Sequence, residues 1–133
     1  MPEGLEFFTA PAGLAPGPGY SHAAAGRGRL VAIAGQIALD AEGQLVGHGD
    51  PVAQAEQVFR NLQLALAAAG ASFEHVIKLT YFMLDVGALP GVREVRNRYV
   101  NIANPPASTA VQVSSLFRPG FLIEVEALAM VPD

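Results

Sequence analysis

Two glutamates, Glu124 and Glu126, interrupt an otherwise apolar run from Phe121 to Val131, and they are the residues of this sequence best suited to acid–base work. If the run is a strand, alternation puts Leu122, Glu124, Glu126, Leu128 and Met130 on one face and Phe121, Ile123, Val125, Ala127 and Ala129 on the other. Same-face residues two apart are separated by about 7 Å. A carboxylate buried there needs a cation or a hydrogen-bond donor; without one its pKa rises and it exchanges protons near neutral pH. Two other readings stay open: a wet face, or Glu–Arg pairs at a contact between subunits. The remaining polar groups form no constellation. His22, His48 and His75 show no HxH or HxxxH spacing, so no metal site is expected. Gly26-Arg27-Gly28 lacks the third glycine and the following helix of a phosphate loop and reads as a turn. No GxSxG elbow surrounds Ser108, Thr109, Ser114 or Ser115. The sequence has no Cys, which excludes a thiol nucleophile, thiolate ligands and disulfides.

The elements that must position the glutamates are readable from punctuation and periodicity. Residues 10 to 19 combine three Pro with three Gly and predict an irregular arm, preceded by a short edge strand at Leu5 to Thr9. Strands are expected at Tyr20 to Ala25 and Leu30 to Leu39, joined as a hairpin through Gly26-Arg27-Gly28-Arg29. Asp50-Pro51 is a helix start, Asp capping and Pro in the first turn. The helix carries Val52, Ala55, Val58, Phe59, Leu62, Ala65, Leu66 and Ala69 on one stripe, with Gln54, Gln57, Asn61 and Gln63 off it, and ends at Gly70. A strand from His75 to Leu84, a second helix from near Pro90 with Val92, Val95 and Tyr99 inward, and a stop at Asn104-Pro105-Pro106 follow. Two last strands fall at Thr109 to Ser115 and Phe121 to Val131. The order β-β-β-α-β-α-β-β implies an α+β fold: a six-stranded mixed sheet with both helices on one face and the other face uncovered.

Composition fits that picture. The chain has 133 residues, the length of one domain, and is 51% apolar but only 15% charged, which leaves apolar surface for self-association. A net charge of −4 with scattered Lys and Arg argues against a nucleic-acid partner. Met1-Pro2-Glu3 opens no leader pattern, and no apolar run approaches the roughly 18 residues of a membrane span. A soluble cytoplasmic protein without membrane association is expected.

Several local strings then stop being generic. Ala34-Gly35-Gln36-Ile37 with Asp40 and Gly43, Asn61-Leu62 through Ala69-Gly70 to Val76-Ile77-Lys78-Leu79-Thr80-Tyr81-Phe82 with Asp85, Pro106-Ala107-Ser108-Thr109, and Ile123-Glu124-Val125-Glu126-Ala127 occur in the order found in the Rid family (YjgF-like, reactive-intermediate deaminases). The chain resembles that family over residues 16 to 131. The resemblance implies a chorismate-mutase-like fold and a homotrimer with small-metabolite clefts between subunits. It also implies cofactor-free hydrolysis of imines derived from 2-aminoacrylate-type enamines. Carried over residue by residue, it puts the water-activating carboxylate at Glu124, a cleft tyrosine at Tyr20 and backbone contacts at Gly35 and Ala110.

One departure concerns the ligand directly. The family's Pro-Ala-Arg-Ser string holds the arginine that grips the substrate carboxylate; here that position is Ser108, which cannot form a two-pronged ion pair. The segment from Tyr99 to Pro106 is also shorter than in deaminating members. Arg96 and Arg118 are the candidates to restore positive charge to the ligand site, each with the alternative of a surface or intersubunit ion pair. Two functional classes therefore follow: a trimeric hydrolase of imine, enamine or related unsaturated metabolites, or a non-catalytic metabolite-binding or regulatory trimer. An endoribonuclease is disfavoured by the charge and the scattered histidines.

Overall fold

The computed structural model describes residues 4–133; the opening Met1-Pro2-Glu3 lies outside the described residues. Six strands and two helices follow in the expected order: β1 (Leu5–Phe8), β2 (Ala23–Gly26), β3 (Arg29–Gln36), α1 (Pro51–Ala68), β4 (Val76–Met83), α2 (Leu89–Arg96), β5 (Ala107–Gln112) and β6 (Ile123–Val131). Their hydrogen bonding divides them. β3, β6, β4 and β5 form a four-stranded sheet in that order, antiparallel except for the β4–β5 pair, while β1 and β2 form an antiparallel ribbon of their own. The expected β2–β3 hairpin is therefore not a ladder: β2 pairs backwards with β1. Gly28 passes so close to the backbone of Val131 that the chain is carried to the end of β6 instead. A bridge from Ser21 to Ala107 ties the segment before β2 to the outer edge of β5.

Helix α1 forms where the punctuation places it. Asp50 accepts hydrogen bonds from the backbone N–H groups of Val52 and Ala53 through its carboxylate, Pro51 opens the first turn, and Gly70 follows the last turn with φ of 75°. Val58, Phe59, Leu62 and Leu66 are buried against the sheet, where they meet Leu79, Tyr81, Met83, Ile123 and Val125 in one core. The ring of Phe59 lies 5.9, 6.4 and 5.6 Å from those of Phe73, Tyr81 and Tyr99.

Helix α2 ends nine residues before the first of the prolines expected to stop it. The N–H groups of Tyr99 and Val100 both turn back onto the carbonyl of Arg96, and the Tyr99 ring packs on Phe73 at 5.1 Å. The helix thus closes in a tighter turn well ahead of the prolines that composition marks. Val92 and Val95 point into the core as expected, and Tyr99 is half-buried beside them.

Gln54 departs from the stripe pattern more sharply. Expected on the polar side of α1, it has no exposed surface. Its Nε2 donates to the carbonyls of Gly47 and Gly120 at 3.2 and 2.9 Å, and its Oε1 accepts from the N–H of Leu122 at 2.8 Å. One amide thereby ties α1 to the loop before it and to the entrance of β6. Asn61 acts similarly, donating to the carbonyls of Ile37 and Leu39.

The helices cover one face of the sheet. The other displays Leu30, Ala32, Phe82, Val111 and Leu128, with Leu30 59% exposed. No helix among the described residues is long and apolar enough to cross a membrane. Because Gln54→Leu strands the buried carbonyl of Gly120 and the N–H of Leu122, it should cost about 2–4 kcal/mol in urea or guanidinium unfolding. A loss below about 1 kcal/mol would show that these groups find water or another partner.

Candidate functional site

Strand β6 runs between β3 and β4, so its alternation is fixed from both sides. Ile123, Val125, Ala127 and Ala129 are buried beneath the helices, while Glu124, Glu126, Leu128 and Met130 take the open face. Glu124 stands level with Phe82 on β4, and Val111 on β5 is level with Phe82 in turn. Phe82, Glu124 and Glu126 border a shallow depression together with Val113, Ser115, Leu116 and Phe117.

The carboxylate of Glu124 is half-buried, and it rests against the backbone of Gly35. A methyl group on Gly35 would collide with its Oε2, so any side chain at position 35 would displace the carboxylate. The ladder between β3 and β6 shifts register between Ile33 and Gln36, and that irregularity brings Gly35 up to the glutamate. The two ion pairs among the described residues, Glu74–His75 and Glu56–Arg98, involve neither Glu124 nor Glu126. Glu124 thus has a close backbone and no ion pair among the described residues.

The other residues carried over from the family pattern lie elsewhere. Ser108 pairs with Leu79 and Ala110 with Tyr81, so both project to the helix side of β5, opposite to Glu124 and two strands away. At about 4.8 Å per strand, close to 10 Å of sheet separates the two sets. Tyr20 sits in the arm before β2, its ring 5.4 Å from that of His22, whose Nε2 is 2.7 Å from the carbonyl of Ala15. Ser21 fastens this segment to the start of β5, donating from its hydroxyl to the carbonyl of Pro105 at 2.5 Å and from its N–H to that of Pro106. Tyr20 therefore belongs with Ser108 and Ala110, and Gly35 belongs with Glu124. One subunit does not unite the two groups.

Arg96 is neither at the surface nor in an ion pair. It is 3% exposed, donates from Nη1 to the carbonyl of Gly19 at 2.6 Å, and gives Nε and Nη2 to Oδ1 of Asn97 at 3.2 and 2.7 Å. Burial lowers its pKa from the ordinary arginine value. The hydroxyl of Tyr81 faces it from the core, and burial pushes that hydroxyl up to about 12 in spite of the cations beside it. Arg118 is exposed and lies over the rings of Phe117 and Phe121, at 5.8 and 5.3 Å from their centroids. Arg93, which the sequence did not single out, packs beside Arg96 against Gly19. The signal available was its spacing of three residues from Arg96 on one helix, which puts both on one side of α2. Among the described residues, no three His, Asp or Glu side chains converge to hold a metal.

Comparison with known proteins identifies the family. The family model described as Endoribonuclease L-PSP matches residues 10–131. The protein DfrA of Myxococcus xanthus is 45% identical over 77% of this chain and 77% of its own length. A RutC family protein of Synechocystis sp. is 37% identical over 96% and 95%. Human 2-iminobutanoate/2-iminopropanoate deaminase is 39% identical over 77% and 73%. Among solved structures, a Rid-family protein of unknown function from Yersinia pestis superposes with a TM-score of 0.81 at 32% identity, covering 96% of this chain and 99% of that one. RidA from a Psychrobacter species gives 0.71 at 31%, covering 98% and 100%. Sequence, strand order and superposition agree, and the chain belongs to the Rid, or YjgF-like, family.

Proposed function

We propose that the chain assembles as a homotrimer whose clefts between subunits take a small metabolite, and that Glu124 directs water onto a carbon–nitrogen double bond held there. The observation that carries this reading is the Glu124 carboxylate, half-buried among apolar side chains, set against Gly35 and free of any ion pair among the described residues. An unpaired carboxylate at such a place is suited to accept a proton from water. The names of the mammalian relatives, 2-iminobutanoate/2-iminopropanoate deaminases, support imines as the substrate class.

The chemistry needs no group beyond water and the carboxylate. Water's oxygen bonds to the imine carbon as Glu124 takes one of its protons; the carbon–nitrogen π pair moves to nitrogen, which picks up a proton from solvent. The resulting amino alcohol then collapses. Its hydroxyl proton returns to solvent, Glu124 protonates the nitrogen, the carbon–nitrogen bond breaks, and ammonia leaves a ketone.

Assembly is supported by where the half-sites lie. Glu124 and Gly35 are on the open face of the sheet, whereas Tyr20, Ser108 and Ala110 gather on the helix side of the edge strand β5, so joining them calls for a second subunit. The uncovered apolar face gives that assembly its driving force. Ser108 offers a hydroxyl where the family's arginine would stand. Substrate anchoring therefore differs from that of arginine-bearing members, since a charged hydrogen bond is worth about 1.5–3 kcal/mol. The same serine favours the second reading, a trimer that binds its metabolite without turning it over. Cleavage of RNA is disfavoured by the net charge of −4.

The test is release of ammonia and keto acid from imines generated in place by an amino-acid oxidase. Wild type is expected to accelerate release, and Glu124→Gln to lower the rate by roughly a hundredfold or more. A Glu124→Gln protein as active as wild type would refute the role of the carboxylate; saturable metabolite binding with no acceleration by wild type would establish the non-catalytic reading.

A further inference from the structure

On the helix side of β5, three separate segments close a ring around one patch. Ala110 lies beside Tyr81, the Tyr81 hydroxyl faces Arg96, and Arg96 holds the carbonyl of Gly19. Two residues further on, Ser21 bridges to Ala107, the neighbour of Ser108, and the circuit returns to its start. Tyr20 stands between Gly19 and Ser21. The patch bounded in this way is the one from which the side chain at position 108 projects.

Two cations from α2 reach the arm that borders it. A methyl group on Gly19 would lie 3.3 Å from both Cδ of Arg93 and Nη2 of Arg96, so both side chains converge on the same stretch of the arm. Their commitments differ. Arg96 is buried, with its donors occupied by Gly19 and Asn97. Arg93 is half-buried at the rim and has no side-chain hydrogen bond and no ion pair among the described residues. Two adjacent guanidinium groups partly removed from water, neither in an ion pair among the described residues, leave a positive potential that an incoming anion would satisfy.

We propose that Arg93 is the anion grip of this protein. It replaces the arginine absent at Ser108 by reaching the same patch from α2 instead of from β5. Arg96 acts as a positioning residue, holding Gly19 and through it Tyr20 against that patch. The ligand class is a small 2-keto or 2-imino acid bound through its carboxylate. This deepens the cleft described above and rests on it, because Arg93 and Ser108 supply the anchoring half of a site whose other half carries Glu124.

The experiment is a titration of the full-length protein with 2-oxobutanoate and, separately, with butan-2-one, which lacks the carboxylate. It is followed by calorimetry and by the Arg Nε–H resonances. Wild type should bind 2-oxobutanoate saturably, with the Arg93 resonance shifting, and should not bind butan-2-one. Arg93→Gln should weaken binding roughly ten- to a hundredfold. Adding Ser108→Arg to that variant should restore it, which a merely structural role for Arg93 would not allow. Equal affinity in wild type and Arg93→Gln, absence of saturable binding to wild type, or loss without recovery in the double variant would each overturn the proposal. Turnover separates the two levels: saturable binding of 2-oxobutanoate lost in Arg93→Gln, with no acceleration of imine hydrolysis by wild type, would end the hydrolytic reading while the assignment of Arg93 stands.

Discussion

The pairing of β6 between two antiparallel neighbours is the constraint on which the rest of the molecule depends. With β3 on one side and β4 on the other, the strand has no freedom of register, and each side chain is committed to one face. A slip by one residue would drive Glu124 and Glu126 into the core beneath the helices and expel Ile123 and Val125. Burying unpaired carboxylates there would cost several kcal/mol each. Gln54 adds a second lock from α1, since its amide holds both the carbonyl of Gly120 and the N–H of Leu122 just ahead of the strand. A buried polar side chain in the main helix thus contributes to where the carboxylate points, through backbone atoms rather than through the glutamate.

On the function proposed above, this constraint separates chemistry from anchoring. The open face carries the carboxylate and the glycine that admits it, while the helix side of β5 carries Ser108, Ala110, the Tyr20 arm and the arginines of α2. Each set is internally well tied: Gly35 to Glu124 by close approach, and the arm to β5 by Ser21 and to α2 by Arg96. Opposite faces of one sheet cannot converge on one ligand. In the proposed reading assembly of copies is the remedy, and the apolar surface that would drive it is the same surface on which Glu124 lies.

Much of this is legible in the sequence. Asp50-Pro51 and Gly70 delimit α1 because capping chemistry is local, and the period-two pattern of Phe121 to Val131 assigns the faces of β6 because alternation is a property of any strand. The family strings named the fold, and Gly35 and Glu124 do meet. What escaped depends on partners distant in sequence. Gln54 looks like a surface residue until Gly120 and Leu122 arrive beside it. β2 turns to β1 because Gly28 crosses the end of β6. Arg96 reads as a surface cation but is buried by the arm, and Arg93 gains interest only because Gly19 brings the two arginines together. Local rules locate elements; they do not say which loop comes to rest on them.

The central claim is that one subunit holds only half-sites and that copies complete them. Sedimentation equilibrium of the purified protein at micromolar concentration tests it most directly. The account predicts a single species of three times the chain mass; a stable monomer at those concentrations would contradict it.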